Sequence, residues 1–446
     1  MKFFLSAWLP LAPDEAYYHV WSQYLQLSYF DHPPMVAWLI YLSEKIGWWL
    51  PSSELALRWG GVALHHGTIW IVIRLYQNLQ QKVKIGLEEV LILLLLLFHP
   101  LLGFFQILQT PDLPLLFFWS LSTLIFFQLL DHRKTWQFLL LGLTLGAGFV
   151  SKYMIALWGL SLIVFFVLYL FKIPQLRTQK LSFLIAPKNI VLGVMGLFIA
   201  SSPVWIWNQM HDWISFRFQI NHGFEAPGFE AHWVFDYLGG ALLLCGSYLA
   251  CLKLSKINSY KEAAQSKIVF LGVQLLVSLL FFFNSSFHAP TEVNWPIMGY
   301  MNIPLLVVLL GRSLRWVKGA AAVSFAVTGV LIVLLGTSGV KIPQLEQMKN
   351  LKALGKRLSL DVFPLYTCKY QTAATLSFYS PYPVYKLQDC SRYDFYDARP
   401  EFTNHNKTFF IYKTEQQDVP TLYYPAKVTL VTTEEDDHNI YKVERQ

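Results

Sequence analysis

Residues 113–130, LPLLFFWSLSTLIFFQLL, carry no ionisable side chain. A helix of that length rises ~27 Å, nearly the ~30 Å of bilayer hydrocarbon. Further apolar runs follow the same pattern at 56–77, 88–108, 136–151, 154–171, 189–207, 233–252, 267–284, 296–311 and 319–336. Across 446 residues, 54% are hydrophobic and only 14% charged, so the sequence predicts an α-helical polytopic membrane protein. The apolar opening at 3–12 is about half a span. It reads as the end of a helix begun outside this chain or as a short tucked segment.

Basic residues divide the connections into two sets. Arg74, Lys82, Lys84, Arg133, Lys134, Lys172, Arg177, Lys180, Lys188, Lys253, Lys256, Lys261, Lys267, Arg312, Arg315 and Lys318 fall on one side. The other side offers only Lys45, Arg58, Lys152 and Arg217. Positive loops stay in the cytoplasm, so the bare loops and the C-terminal tail are expected on the far side. The net charge of +7 then reflects topology, and no basic stripe on a soluble face suggests nucleic acid.

The charge-poor side collects the chemically capable residues. They are Asp14, Glu15 and His32; Asp112 after Thr110-Pro111; Lys152 and Tyr153; Trp207, Asn208, His211, Asp212, Trp213 and Arg217; and Glu292, Asn294 and Trp295. A transporter would place polar groups near the midplane on broken helices, whereas these sit at helix ends. No glycine-rich phosphate loop is visible. From about residue 339 the composition turns soluble: a Lys-rich helix near 344–358 precedes strand-like runs at 382–387, 408–412 and 428–432. The reading is a transmembrane domain over 1–338 and a small α/β domain over 339–446. Cys368 and Cys390 are the one cysteine pair there, which an oxidising compartment would join.

The segments PDEAYYHVWSQYL and YFDHPPMVAWLI, followed by TPDLPLLFFW, SKYMIAL, SPVWIWNQMHDWISFRFQINHGF and EVNWP, run in order from residue 13 to about 300. They resemble the bacterial dolichyl-phosphate-mannose-protein mannosyltransferase-like branch of the GT-C membrane glycosyltransferases, related to the lipid A aminoarabinose transferases. TAATLSFYSPYPVY at 372–385 is similar to that family's soluble tail. The resemblance implies an inner-membrane enzyme with its active site and C-terminal domain in the periplasm. It would move a hexosyl or pentosyl group, with inversion, from a polyprenyl-phosphate carrier to a hydroxyl acceptor on lipid A, protein or an envelope polymer. Family members carry a full first transmembrane helix before the acidic pair; here most of it is absent. The alternative is a transporter of polyprenyl lipid or solute that uses the same cavity without chemistry.

Inverting transfer needs a carboxylate to take the acceptor proton, and Asp14 is the choice, with Glu15 in support and Asp112 as a further acid. The leaving phosphate needs cations, for which His32, Lys152 and Arg217 are candidates. The resemblance adds that aminoarabinose transferases have a phosphate-contacting lysine at the position of His32. Tyr153, Asn208, His211, Asp212, Glu292, Asn294 and Trp295 are candidate substrate contacts. Carboxylate oxygens of Asp14 and Asp112 with a His nearby offer ligands for a divalent cation, without a spacing signature that establishes one. Structural rivals stand beside these roles. Asp14 and Asp112 each precede a helical pattern and could serve as N-caps, and Lys152 could snorkel. Tyr17, Tyr18, Trp21 and Tyr24 fit an interfacial belt helix.

Overall fold

The computed structural model describes residues 2–176, 181–224, 228–336, 342–388, 390–414, 426–434 and 438–445. Arg177 and Lys180 lie outside them. The chain opens with three short helices, α1 (Lys2–Trp8), α2 (Pro13–Gln23) and α3 (Met35–Ile46). A helical bundle follows: α4 (Ser53–Gln80), α5 (Leu87–Phe98), α6 (Asp112–His132), α7 (Trp136–Ser151), α8 (Ala156–Leu170), α9 (Pro187–Met210), α10 (Ile214–Phe224), α11 (Ala231–Ala250), α12 (Glu262–Ser285), α13 (Ile297–Tyr300), α14 (Ile303–Leu310) and α15 (Leu314–Gly336).

The apolar runs fall on these helices, but fewer qualify as spans by length and composition than the ten expected. Among the described residues six helices do so, or seven when α5 and the irregular helix Pro100–Ile107, bent by 81°, count as one. The segment over α7 and the broken α13–α14 are shorter. The outward faces are apolar, as lipid contact requires: Ile163, Ile199, Leu243 and Val330 are exposed while Trp119, Phe126, Trp158 and Phe270 are buried. The bend has a local cause. His99 Nδ1 accepts from the amides of Leu101 and Leu102, and its Nε2 reaches the Leu244 carbonyl at 3.2 Å. Its ring is thus a structural tie.

Two packing features set the position of the polar loops. First, α7 and α9 cross at backbone contact: a Cβ on Gly142 would stand 2.0 Å from the Gly193 carbonyl oxygen, and one on Gly196 2.4 Å from that of Leu139. Small residues permit this approach, which brings Lys152 at the end of α7 beside the end of α9. Second, the bundle interior is tied by satisfied polar groups. Thr123 Oγ1 accepts from Trp158 Nε1 and from Gln274 Nε2, each at 3.0 Å, and Asn302 Nδ2 donates to Gln274 Oε1 at 3.0 Å. Such buried bonds fix register, because an unpaired group there would cost ~1–3 kcal/mol.

Beyond the bundle come α16 (Pro343–Arg357) and α17 (Tyr370–Tyr379) with β1 (Leu365–Thr367), β2 (Tyr385–Lys386), β3 (Thr408–Thr414), β4 (Ala426–Glu434) and β5 (His438–Arg445). The sheet order is β2-β1-β3-β5-β4, with β1 parallel to both neighbours and β3-β5-β4 antiparallel. Strand-like runs coincide with β2, β3 and β4. β1 escaped sequence reading because its three residues are all buried and show no alternation. Cys368 and Cys390 form a disulfide.

The small domain does not stand apart. One apolar core joins Tyr17, Trp21, Tyr29 and Val36 to Leu354, Leu376, Phe395 and Phe402. The expected aromatic belt is corrected here: Tyr17, Tyr18 and Trp21 are buried beneath the C-terminal domain, and Tyr24 packs edge-on to Phe402. An aromatic helix face suits either headgroups or another protein surface, and here protein covers it.

Candidate active site

The two adjacent acids diverge. In α2 the N-cap is Ala12, Pro13 opens the first turn, and Asp14 and Glu15 follow, so Asp14 is not the cap. Successive helical residues lie 100° apart. Glu15 turns inward and is wholly buried. Its carboxylate receives Arg58 through Nε at 2.8 Å and Nη2 at 2.5 Å, the Ala12 amide at 2.9 Å and the Gln109 amide at 2.7 Å. Arg58 also donates to the carbonyls of Ser6, Leu9 and Pro10. This network folds the N-terminal segment onto α4 and leaves the Glu15 carboxylate wholly engaged by Arg58 and two backbone amides. Arg58, read from sequence only as a loop charge, is its central member.

Asp14 turns the other way and keeps a solvent-exposed edge. Gln371 Nε2 of α17 donates to its Oδ1 at 3.3 Å. Crowding by protein raises the Asp14 pKa above the usual carboxylate value; the Gln371 bond and the charge of Arg392 oppose that, and Glu15 adds to it. Asp31, in the turn before His32, is buried and accepts from Tyr17 Oη at 2.7 Å and from Arg392 Nη1 at 2.8 Å. Burial raises its pKa as well, with Arg392 and the Tyr17 hydroxyl acting against the rise. His32 is partly buried, its ring 6.1 Å from that of Tyr18.

Across the bundle, Asp112 is the first residue of α6 and makes no cap. Lys152 Nζ donates to its Oδ1 at 2.7 Å, with both side chains largely shielded. Two residues considered separately from sequence are therefore one ion pair. Tyr153 Oη shares a 2.8 Å hydrogen bond with Ser215 of α10. Asn208 is buried and donates to the Val204 carbonyl at 3.0 Å. His211 stacks on Trp207 at 4.0 Å, and His211, Asp212 and Arg217 are exposed around the α9–α10 junction.

A cavity of about 610 Å³ gathers another part of the set. Asp112, Glu292 and Asn294 line it together with Gln106, Thr110 and Asp236, against an apolar wall that includes Leu101, Phe105, Leu244 and Ile297. Trp295 lies behind, its ring 5.8 Å from Phe282. Asp14 and His32 are not in this lining. Burial holds the pKa of Tyr18 well above the usual phenol value, and the charges of Asp14, Asp31 and Asp112 add to the rise. Arg217 is the least integrated of the expected cations, on the surface of α10.

Among the described residues no group of three or more His, Cys, Asp or Glu side chains is placed to hold a metal ion, and Asp112 already carries the Lys152 ammonium.

Sequence reasoning missed Arg392, Gln371 and Asp236, and Asp31 entered only as part of the turn before His32. Arg392 and Gln371 are more than 350 residues away from the acids they meet. Only folding brings them there.

Residues 31–207 match a family model described as dolichyl-phosphate-mannose-protein mannosyltransferase. Over 355 residues, 77% of this chain and 69% of the relative, the chain is 24% identical to the lipid A galacturonosyltransferase RgtD of Rhizobium johnstonii. The fold is that of ArnT from Cupriavidus metallidurans. Its apo structure aligns with TM-score 0.68 at 14% identity over 99% of this chain and 95% of that one. The form bound to undecaprenyl phosphate aligns with TM-score 0.66 at 14% identity and the same coverage.

Proposed function

We propose that this chain, a relative of the GT-C membrane glycosyltransferases and of the lipid A transferases among them, moves a sugar from a polyprenyl-phosphate carrier to a hydroxyl acceptor at the outer face of the bacterial inner membrane. The observation that carries the reading is the cavity bearing Asp112, with Lys152 on it, Glu292 and Asn294 on one side and an apolar wall on the other. An isoprenoid phosphate has that same division: a hydrocarbon chain and one charged, sugar-bearing end.

In the proposed reaction the acceptor oxygen bonds to the anomeric carbon as the bond from that carbon to the phosphate oxygen breaks, with inversion. Asp14 takes the acceptor proton, and its solvent-exposed edge leaves it open to a substrate hydroxyl. Polyprenyl phosphate departs as the leaving group. Lys152, paired with Asp112 of the cavity lining, is one cation and His32 a second, held extended by the two prolines after it; their positive or hydrogen-bonding groups stabilise the departing phosphate. Glu292 and Asp236 suit sugar hydroxyls better than phosphate, because carboxylates accept and do not donate, whereas the Asn294 amide can do both. Tyr153, Asn208, His211 and Asp212, near the end of α9, are the residues that would contact a lipid A, protein or polymer acceptor, and Arg217 on α10 is a third cation for the phosphate.

The test is transfer of radiolabel from polyprenyl-phosphate hexose, uronic acid and aminopentose donors to envelope lipid and protein acceptors by purified protein. The expected result is transfer from one donor class, lowered ~10²–10⁴-fold in Asp14→Asn with donor affinity unchanged. Donor binding or translocation without transfer would instead support a transporter. Near-wild-type turnover in Asp14→Asn would reject Asp14 as the base.

A further inference from the structure

The C-terminal domain touches the acids of the site through two short segments. The first is the start of α17, where Gln371 donates to Asp14 Oδ1 at 3.3 Å and the Tyr370 ring packs 4.4 Å from that of Tyr17. The second is the loop after β2, where Arg392 forks in two directions: Nη1 donates to Asp31 Oδ1 at 2.8 Å and Nη2 to Tyr370 Oη at 3.0 Å. The guanidinium lies 4.9 Å over the Tyr370 ring and 5.4 Å over that of Phe218 on α10. One side chain thereby joins α10, α17 and the turn that carries His32.

The second segment is held from behind. Lys386 of β2, fully buried, donates to the Arg392 carbonyl at 2.6 Å and to Asp394 Oδ2 at 2.8 Å, and it also pairs with Asp397. The next turn of the loop returns to the site, because the Phe395 amide donates at 2.9 Å to the same Tyr17 hydroxyl that bonds Asp31. The Cys368–Cys390 disulfide ties the two segments to each other. Cys368 is two residues before Tyr370 and three before Gln371; Cys390 is two before Arg392.

We propose that this disulfide is a staple for the active site: by locking the start of α17 to the Arg392 loop it sets Arg392, a positioning residue, against Asp31 and Gln371 against Asp14, so that the C-terminal domain completes the transferase site. The inference rests on the proposed transfer reaction. Its physical basis is that misplacement of a reacting group by about 1 Å can cost ~10²-fold in rate. A planar guanidinium meets two acceptors in fixed directions, which an ammonium cannot copy. Residues acting through one another give non-additive losses when removed together.

The experiment is a double-mutant cycle on the full-length protein, with Cys368→Ser/Cys390→Ser as one change and Arg392→Gln as the other. Transfer is followed from the polyprenyl-phosphate donor that the wild type uses. Arg392→Gln should lower kcat by ~10-fold or more with donor KM within ~3-fold, and Arg392→Lys should recover part of it. Removing the disulfide should cost a similar factor alone and no more than ~2-fold in the Arg392→Gln background. Losses that multiply, or wild-type turnover in Arg392→Gln, overturn the staple while leaving the transferase reading in place. A wild type that transfers no sugar from any of the donors overturns both.

Discussion

Lys152 Nζ sits 2.7 Å from Asp112 Oδ1, joining the C-cap of α7 to the first residue of α6 at the edge of the cavity. If the pair acts as a unit, Asp112→Asn and Lys152→Gln should each lower transfer ~10–100-fold, and the double variant should be no worse than the poorer single one. Steady-state kinetics of the three proteins decide it. Multiplying losses would mean that each residue acts alone.

His32 has a different signature. With a cation-capable group near the departing phosphate, His32→Ala should weaken both donor binding and turnover, and His32→Lys should recover part of each. Donor binding and single-turnover transfer are the measurements. A lysine variant no better than alanine would leave His32 a structural part of the turn.

Glu15 and Arg58 should matter for stability. Both are wholly buried and paired through two bonds, so Glu15→Ala or Arg58→Ala leaves a buried charge without its partner, at ~3–5 kcal/mol. Thermal unfolding in detergent should show a large loss in either variant. A melting temperature within two degrees or so of wild type would contradict this account of the network.

Orientation can be read at Gln209, which is exposed at the end of α9. Gln209→Cys should react with an impermeant thiol reagent applied from the periplasmic side. Asp31 is unsuitable for the same purpose because it is buried. Labelling of Gln209→Cys only after membrane disruption would reverse the orientation and with it the proposed donor side.

Asp394 predicts a pH effect on stability. Burial raises its pKa to about 6, with Lys386 opposing the rise. The folded protein then holds this proton more tightly than the unfolded chain, so the contribution is full below about pH 4 and is lost as pH rises through about 6. Tm of wild type minus that of Asp394→Asn should be largest near pH 4 and smaller at pH 7. A flat difference would remove Asp394 as the source.

Much of this protein was legible in one dimension. Apolar runs as long as 113–130 commit a chain to lipid because transfer free energy adds residue by residue. Loop charges and the position of Asp14, Asp112 and Lys152 at helix ends are equally local facts. What local sequence could not hold was partnership. Neither Asp112 nor Lys152 announces the other, 40 residues away, and nothing near Asp31 points to Arg392, 361 residues on. The aromatic face of α2 read as a lipid belt because hydrophobic attraction has no direction and does not name its partner. Only the tertiary structure decided that the C-terminal domain covers that face, because a salt bridge or hydrogen bond needs atoms within about 3 Å, and folding alone sets that distance.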